Sequence, residues 1–182
     1  MNEEIIEAFF REAEIGEWES TSIKKIAKKI KMTEADLKKI VATKEEFLSN
    51  YNEYIDVKVL ESISNEDLEH SSSDEILQEY LMLKFEYMSE NKMAIGNIIN
   101  TSLLNKKFIL ISLNSNKKSI RNFIDNAVNK NSHLKKKILI KLLLVLWFIA
   151  FNKWLYEDNN NEATYSLIDK GIKRLKKNLK VF

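Results

Sequence analysis

The scarcity of helix-breaking residues constrains the fold of this chain more than any other feature. The 182 residues include no Pro and only three Gly. Proline and glycine interrupt helices, and β-sheet proteins need glycine-containing tight turns at short intervals. We therefore predict an all-α protein. The β-branched residues of segment 105–115 would also suit a strand, but a lone strand has no partner, so we interpret this segment as helical or irregular.

Composition and the apolar runs indicate a soluble, cytoplasmic protein. Apolar residues make up 45% of the chain, enough for a buried core. The absence of Cys excludes disulfides, thiol catalysis and Cys-ligated zinc. Segment 1–19 is acidic and lacks the layout of a signal peptide. The most apolar run, 138–151, contains Lys141 and is shorter than the roughly 20 residues of a membrane-spanning helix, so we expect no stable membrane insertion.

Four apolar stripes at helical spacing occupy the first 60 residues. They consist of Ile5, Ile6, Phe9, Phe10 and Ala13; of Ile23, Ile26, Ala27 and Ile30; of Leu37, Ile40 and Val41; and of Phe47, Leu48, Tyr51, Tyr54, Ile55, Val59 and Leu60. Residues suited to helix N-caps precede the second and third stripes, and Thr43–Glu46 has the form of a capping box before the fourth. Three short amphipathic helices followed by a long one are typical of a helix-turn-helix head on a helical body.

The segment from Ile5 to Leu48 resembles the DNA-binding head of TetR-family repressors. The residues that carry the resemblance follow one another at the family's spacing without a gap: Trp18, Thr21-Ser22, Ile26-Ala27, Thr33, Leu37 and Thr43-Lys44-Glu45-Glu46-Phe47-Leu48. The sequence departs from the family at Lys31 and Ala35, where Gly is usual. It also has Lys38-Lys39-Ile40-Val41 in place of the family's Tyr-x-His-Phe segment, whose Tyr and His commonly contact DNA phosphate.

The resemblance implies a DNA-binding head of three helices over 1–48 and a ligand-binding and dimerisation domain over 49–182, with about nine helices in all. The residues expected at the DNA are Thr21, Ser22, Lys28, Thr33, Glu34, Lys38, Lys39 and Lys44. Segment 20–44 contains eight Lys against two acidic residues, which favours binding to phosphate. The alternative for these lysines is a solvated helix face in a lysine-rich protein.

The sequence predicts further helices at 74–89, 92–104, 116–129, 132–156 and 162–179. In the TetR family the last two helices form a four-helix bundle with a second copy, which implies an interface here at Trp147, Phe151, Trp154, Ile168 and Ile172. Tyr80, Leu83 and Tyr87 could line a pocket for an apolar effector, although ordinary core packing explains the same spacing.

The chain carries no recognisable catalytic or metal-binding motif. Its two histidines, His70 and His133, do not belong to a cluster with metal-ligand spacing. The sequence contains no phosphate loop, nucleophile elbow or dinucleotide fingerprint. We therefore expect a non-enzyme without a metal or cofactor.

Two functional hypotheses follow. The first is a homodimeric transcriptional regulator that binds duplex DNA and responds to a small, apolar ligand. The second is a protein of the same fold that binds a lipid or another apolar molecule and no longer reads DNA, similar to accessory proteins of ubiquinone biosynthesis. The lysines of the head favour the first hypothesis. The altered 38–41 segment and the basic amphipathic closing helix favour the second.

Overall fold

The computed structural model describes residues 1–102, 105–127, 133–158 and 160–179, and every regular element in these ranges is a helix. The helices are α1 (Glu3–Glu14), α2 (Ile23–Lys29), α3 (Glu34–Ile40), α4 (Lys44–Ser62), α5 (Asn65–His70), α6 (Ser73–Ser89), α7 (Lys92–Ser102), α8 (Lys106–Ala127), α9 (His133–Leu155) and α10 (Glu162–Leu179). The all-α prediction is confirmed, and so is the helical head at the N-terminus. The predicted helix ends at 104, 129 and 132 lie outside the described residues.

The described residues form ten helices where about nine were predicted, because the chain stops and restarts a helix after α4. The hydroxyl of Ser64 accepts a hydrogen bond from the backbone N–H of Asp67, and the Asp67 carboxylate accepts one from the N–H of Ser64. This reciprocal capping box satisfies backbone donors that a helix start would otherwise leave unpaired, and it separates α5 from α4.

Segment 105–115 is helical and forms the first half of α8. The side chain of Asn105 accepts hydrogen bonds from the backbone N–H groups of Lys107 and Phe108, at 3.0 and 3.2 Å. An asparagine in this position stabilises a helix N-terminus. The β-branched content of this segment therefore does not decide its structure, because the local capping and the helical continuation outweigh it.

Contacts within the chain divide it into two compact units. Unit 1 comprises Met1–Tyr54 with Glu90–Ser115, and unit 2 comprises Ile55–Ser89 with Asn116–Phe182. The division falls inside α4 and α8, so neither helix belongs to one unit alone. The boundary predicted at residue 48 separates a DNA-binding head from a ligand-binding domain by function. The division by internal contacts does not test it, and it remains a prediction.

Aromatic side chains from α1 and α4 form the core of unit 1. Phe9 stacks on Phe47 with ring centroids 4.2 Å apart, and Phe10 meets Tyr51 edge to face at 4.6 Å. Trp18, which follows α1, packs against Phe47 at 6.2 Å. Burial of each ring contributes about 1.5–3 kcal/mol. This cluster therefore anchors the start of α4 against α1.

The core of unit 2 is built from α6, α9 and α10. Phe85 packs against Trp154, whose indole N–H donates a hydrogen bond to Ser89 at 2.9 Å. Gly171 permits a close approach of α10 to α9, since a Cβ built on it would lie within 2.8 Å of Leu146 Cδ2. A side chain at this position would displace the end of the Leu146 side chain, which packs against Gly171.

The helix α9 is strongly apolar, although less than half of its most apolar stretch is buried within the chain. By length and composition the stretch Lys135–Leu155 could cross a membrane, and 39% of its most apolar window is buried in the chain. A core helix of a soluble protein has the same composition, so this observation is weak evidence for a membrane. Among the residues of α9 whose burial is described, Ile138, Val145 and Ile149 are exposed apolar side chains that the packing of unit 2 does not cover.

Candidate nucleic-acid interface

A helix-turn-helix lies in unit 1 and is formed by α2, a short turn and α3. The hydroxyls of Ser22 and Thr33 cap the two helices by accepting hydrogen bonds from the backbone N–H groups of Lys25 and Asp36. The inner faces bury Ile23, Ile26, Ala27 and Leu37. The N-caps stabilise the start of each helix, and the apolar residues pack each helix against the core. The opposite faces of the two helices are exposed to solvent.

Lys31 lies in the turn between the helices with a left-handed backbone, at φ 54°. Residues other than Gly adopt this conformation at a cost, and Gly is what the TetR family usually has at this position. The geometry of the turn is therefore the one the resemblance implies, although the residue differs. The side chain of Lys31 is exposed.

Five exposed lysines surround the outer face of the helix-turn-helix: Lys24, Lys28, Lys31, Lys38 and Lys39. Lys24 and Lys28 are one helical turn apart on α2. The two lysines of α3 form ion pairs within their own helix, Lys38 with Glu34 at 2.7 Å and Lys39 with Asp36 at 2.6 Å. Lys28, Lys38 and Lys39, which the sequence analysis expects at the DNA, are exposed on these helices, and their contact with DNA remains a prediction.

The ion pairs within α3 lower the pKa values of their two carboxylates, Glu34 and Asp36. A hydrogen bond from Lys38 lowers the pKa of Glu34, and the charge of Lys24 lowers it further. The same kind of bond, from Lys39, lowers the pKa of Asp36. Lys24 therefore lies near the start of α3, on the side where Glu34 emerges, which the sequence pattern alone did not indicate.

Besides the capping residues Ser22 and Thr33, two more of the predicted DNA-binding residues have structural roles in this conformation. Thr21 is 4% exposed and donates a hydrogen bond to Glu12 at 3.0 Å. The ammonium of Lys44 donates to the backbone carbonyls of Trp18 and Glu19, at 2.6 and 3.0 Å. Both side chains hold the segment between α1 and α2 in place, so phosphate contact by either would require them to leave these partners.

The sequence analysis did not single out Glu12, a buried carboxylate that joins α1 to α2. Its side chain is fully buried and forms ion pairs with Lys29 and, at 2.7 Å, with Lys25. Burial by itself raises the pKa of this carboxyl, but the hydrogen bonds from Lys25, Lys29 and Thr21 outweigh burial and bring the pKa down to about 2. Glu12 occupies a buried position on the amphipathic helix α1. A charged residue that interrupts an apolar stripe in this way was the sequence signal that could have indicated a buried ion pair.

The three residues predicted to line a ligand pocket lie in three different environments of unit 2. Tyr80 is buried, stacks on Phe123 at 3.9 Å and shares a hydrogen bond with Ser119 at 2.6 Å. Tyr87 shares a hydrogen bond with Ser62 at 2.6 Å. Leu83 is half-buried and lines a surface groove. The structure therefore does not bring the three side chains into one cavity.

Tyr80 belongs to a buried polar network that connects α4, α6 and α8. The ammonium of Lys84, 1% exposed, lies 2.7 Å from an Asp56 oxygen and 2.6 Å from the Ser119 hydroxyl. Ser119 donates to the same Asp56 oxygen at 2.8 Å. Burial lowers the pKa of Lys84 against the opposing charge of Asp56. Four polar side chains thus satisfy one another where an apolar core would otherwise form.

The groove beside Leu83 runs along α6 and has a volume of about 320 Å³. Its lining consists of Glu75, Gln78, Glu79, Met82, Leu83, Glu86 and Tyr165. Within residues 1–102, 105–127, 133–158 and 160–179, no group of three His, Asp or Glu side chains is placed to hold a metal ion.

Most of the residues predicted at a dimer interface are buried within the chain itself. Trp147, Trp154, Ile168 and Ile172 are at most 5% exposed. They leave no surface for a second copy in this conformation, because α6, α9 and α10 already enclose them. Phe151 is half-buried. The exposed apolar residues of α9 are different ones, Ile138, Val145 and Ile149.

Comparison with known proteins identifies the fold. The structure is similar to the crystal structure of the TetR transcriptional regulator from Nitrosomonas europaea, with a TM-score of 0.74 over 94% of this chain and 95% of that one. This fold is the TetR-regulator fold. The two sequences are 12% identical, so the likeness concerns the fold alone. No model of a protein family and no curated protein matches the sequence.

Proposed function

We propose that this protein is a non-enzymatic, homodimeric transcriptional regulator that binds duplex DNA and responds to a small ligand. The observation that carries the proposal is the capped helix-turn-helix of α2 and α3 with five exposed lysines around its outer face. The likeness in fold to a transcriptional regulator supports it. Thr21 and Lys44, two of the residues expected at the DNA, maintain the shape of the head through their hydrogen bonds within it.

In this proposal α3 enters the major groove of DNA. Its seven residues span about 10 Å, and a B-DNA major groove is about 12 Å wide. Lys24, Lys28 and Lys31 contact phosphates on the flanking backbone, which gives affinity but no sequence preference. Glu34 and Ala35 open α3, where side chains reach base edges, and a glutamate there can accept a hydrogen bond from a cytosine amino group.

The ion pairs within α3 do not prevent this role. The side chains of Lys38 and Lys39 are 51% and 75% exposed. Exposed pairs of this kind contribute about 0–1 kcal/mol, so a phosphate can replace the carboxylate partner at small cost. When Lys38 turns to a phosphate, Glu34 becomes available to a base. We therefore expect the two events to occur together on specific DNA.

The same ion pairs are also the observation that favours the second candidate, a ligand-binding protein of this fold that does not read DNA. Glu34 and Asp36 balance the charges of Lys38 and Lys39, so α3 itself carries no net charge. The Tyr and His side chains that commonly contact phosphate in the TetR family are replaced here by Lys38 and Ile40. The DNA-binding experiment distinguishes the two candidates.

The test is a selection from a library of random duplex DNA at low salt, followed by fluorescence anisotropy on the enriched sequence. We expect one enriched site with two-fold symmetry. Its affinity should fall on the order of a thousandfold between 50 and 200 mM salt, if six to ten phosphates are contacted. The double substitution Lys38→Glu/Lys39→Glu should abolish binding, and Lys24→Glu/Lys28→Glu should weaken it at least tenfold.

The matched control is Lys106→Glu/Lys107→Glu, which reverses two exposed lysines at the start of α8. This variant has the same change in net charge and should bind like the wild type. If no sequence is enriched and all four proteins bind equally weakly, the regulator proposal fails and the second candidate replaces it.

A further inference from the structure

The groove along α6 combines an apolar floor with an acidic rim. Met82 and Leu83, both half-buried, contribute its apolar surface, and Tyr165 of α10 adds an aromatic ring to the lining. The carboxylates of Glu79 and Glu86 lie on the same face of α6, since they stand three residues before and four residues after Met82. Its volume of about 320 Å³ lies at the lower end of the range for small-molecule sites.

The basic side chains near this groove lie at its Glu75 end or are paired elsewhere, and the charge of Lys176 acts on Glu75. The lining contains no Lys, Arg or His. The lysine of α6, Lys84, is 1% exposed and is paired with Asp56 in the buried network. Lys176 of α10 is paired with Asp74 at 2.7 Å, at the start of α6.

The carboxylates of Glu79 and Glu86, which flank Met82 on α6, are available to pair with a cation. Glu75 is already engaged, because it accepts hydrogen bonds from the backbone and side chain of Ser72, at 2.8 and 2.5 Å. Within the parts of the chain that the structure describes, Glu79 and Glu86 have neither an ion pair nor a hydrogen bond from a side chain. Two uncompensated carboxylates beside apolar surface favour a ligand that brings positive charge and apolar area together.

We propose that this groove binds a small organic cation with an apolar body, such as an aryl-substituted quaternary ammonium ion. The apolar part lies on Met82 and Leu83, whose flexible and polarisable side chains adapt to irregular shapes. The cationic centre lies between Glu79 and Glu86 and against the face of Tyr165, where cation–π attraction adds to the ionic one. An anionic lipid or a fatty acid is excluded from the groove by the same carboxylates.

The proposed regulator responds to a small ligand, and this inference gives the chemical class of that ligand. Only the regulatory effect of the ligand rests on the proposed function; its binding to the groove does not. The test contains no DNA, so its failure leaves the DNA-binding proposal unaffected. The full chain is titrated with benzyltriethylammonium, with the neutral N,N-diethylbenzamide and with the anion 4-tert-butylbenzoate. Calorimetry measures the affinities. NMR of ¹³C-labelled methionine methyl groups reports the location, with the Met82 signal assigned from Met82→Leu.

We expect the cation to bind at least tenfold more tightly than the neutral compound, and the anion not to bind. The Met82 methyl signal should shift saturably, while that of Met93, which lies on α7, should not. Glu79→Gln/Glu86→Gln should lower the affinity for the cation at least tenfold. The matched control Glu66→Gln/Glu69→Gln, which removes two exposed carboxylates of α5, should leave the affinity unchanged.

The inference is overturned if the cation and the neutral compound bind equally, or if the Met82 signal does not respond to the cation. It is also overturned if the Glu79→Gln/Glu86→Gln protein keeps the wild-type affinity. Circular dichroism of both double variants establishes that they are folded, so that a loss of binding reports the groove.

Discussion

Glu12 connects α1 with α2 and with the segment that precedes α2. Its carboxylate is fully buried between α1 and α2, and it holds Thr21, Lys25 and Lys29 together. A buried charge of this kind is stable only because every partner is present. Two of those partners are lysines that the sequence pattern would assign to a solvated face. Their ion pairs with Glu12 therefore remove them from the set available to DNA.

The pKa of Glu12 leads to a prediction about acid stability. A folded-state pKa of about 2, below the ordinary 4.5, means that the ionised carboxyl stabilises the fold above pH about 4.5. This stabilisation is lost as the pH falls toward 2. Glu12→Gln should therefore lower the free energy of unfolding by about 2 kcal/mol at neutral pH and by progressively less toward pH 2. Urea unfolding at a series of pH values measures this difference.

The control for this prediction is Glu14→Gln, which changes an exposed glutamate two residues away. That variant should follow the wild-type pH profile within a few tenths of a kcal/mol. Equal pH profiles for Glu12→Gln and the wild type would show that the buried ion pairs do not contribute.

The accuracy of sequence interpretation differs between residues for physical reasons. Gly16 follows the end of α1 with φ 78°, a conformation that favours glycine, and such a helix end is visible in the sequence. Thr33 was predicted as an N-cap and forms that hydrogen bond. These are local effects that neighbouring residues determine. The partners of Lys44 lie 25 and 26 residues away, and no local pattern could have indicated them.

At the scale of helices, the polar network of Lys84 connects three elements that are distant in sequence. Asp56 lies on α4, Lys84 on α6 and Ser119 on α8. Periodicity predicted these helices, but Lys84 lies on the buried face that periodicity assigns to apolar residues. The network fixes how α4 is rotated against α6, since only one rotation brings Asp56 to the ammonium.

The two partners of this ion pair should not be equivalent. Asp56→Asn leaves the ammonium of Lys84 buried without a counter-charge and should lower the free energy of unfolding by about 3 kcal/mol. Lys84→Met should cost less, because the side chain of Asp56 is 20% exposed and keeps Ser119 as a donor. The double variant Asp56→Leu/Lys84→Met should recover most of the loss from Asp56→Asn. Urea unfolding of the three variants tests this order, and equal losses in the two single variants would contradict it.

The close contact of α9 and α10 leads to a further prediction at this scale. A methyl group at position 171 would collide with the side chain of Leu146, which is 8% exposed. Gly171→Ala should therefore destabilise the protein by about 1–3 kcal/mol, although alanine is the better helix former. Gly171→Ala/Leu146→Ala should lose less than the sum of the two single losses, since the second change removes the collision. Thermal unfolding measures all three, and strictly additive losses would argue against the contact.

For the whole molecule, the exposed surface of α9 matters more than its composition. Ile138, Val145 and Ile149 are 42%, 55% and 53% exposed, and their spacing of seven and four residues places them on one face. Soluble monomers rarely leave such a stripe uncovered. The apolar composition of α9 favours its burial, but the sequence could not separate the side covered by α6 and α10 from the side left open. That distinction depends on the tertiary contacts of unit 2.

We expect the open side of α9 to be covered by a second copy of the chain, related by a two-fold axis. Sedimentation velocity at micromolar concentration should therefore show a dimer of the wild-type protein. Val145→Glu/Ile149→Glu should yield a folded monomer, because both side chains are exposed in the single chain and a glutamate there is solvated. The same variant should bind DNA far more weakly, since two heads on successive major grooves, about 34–36 Å apart, act together only in a dimer.

Two controls separate this interface from general damage to the fold. Met93→Glu places a charge at another exposed apolar residue, 63% exposed on α7, and should remain dimeric. Trp154→Glu should unfold the chain rather than release a monomer, because the indole is fully buried and hydrogen-bonded to Ser89 within one copy. A wild-type protein that sediments as a monomer would leave the stripe on α9 without a partner and would remove the two-head arrangement from the proposed function. A dimer that survives Val145→Glu/Ile149→Glu would instead place the interface on a different surface of the molecule.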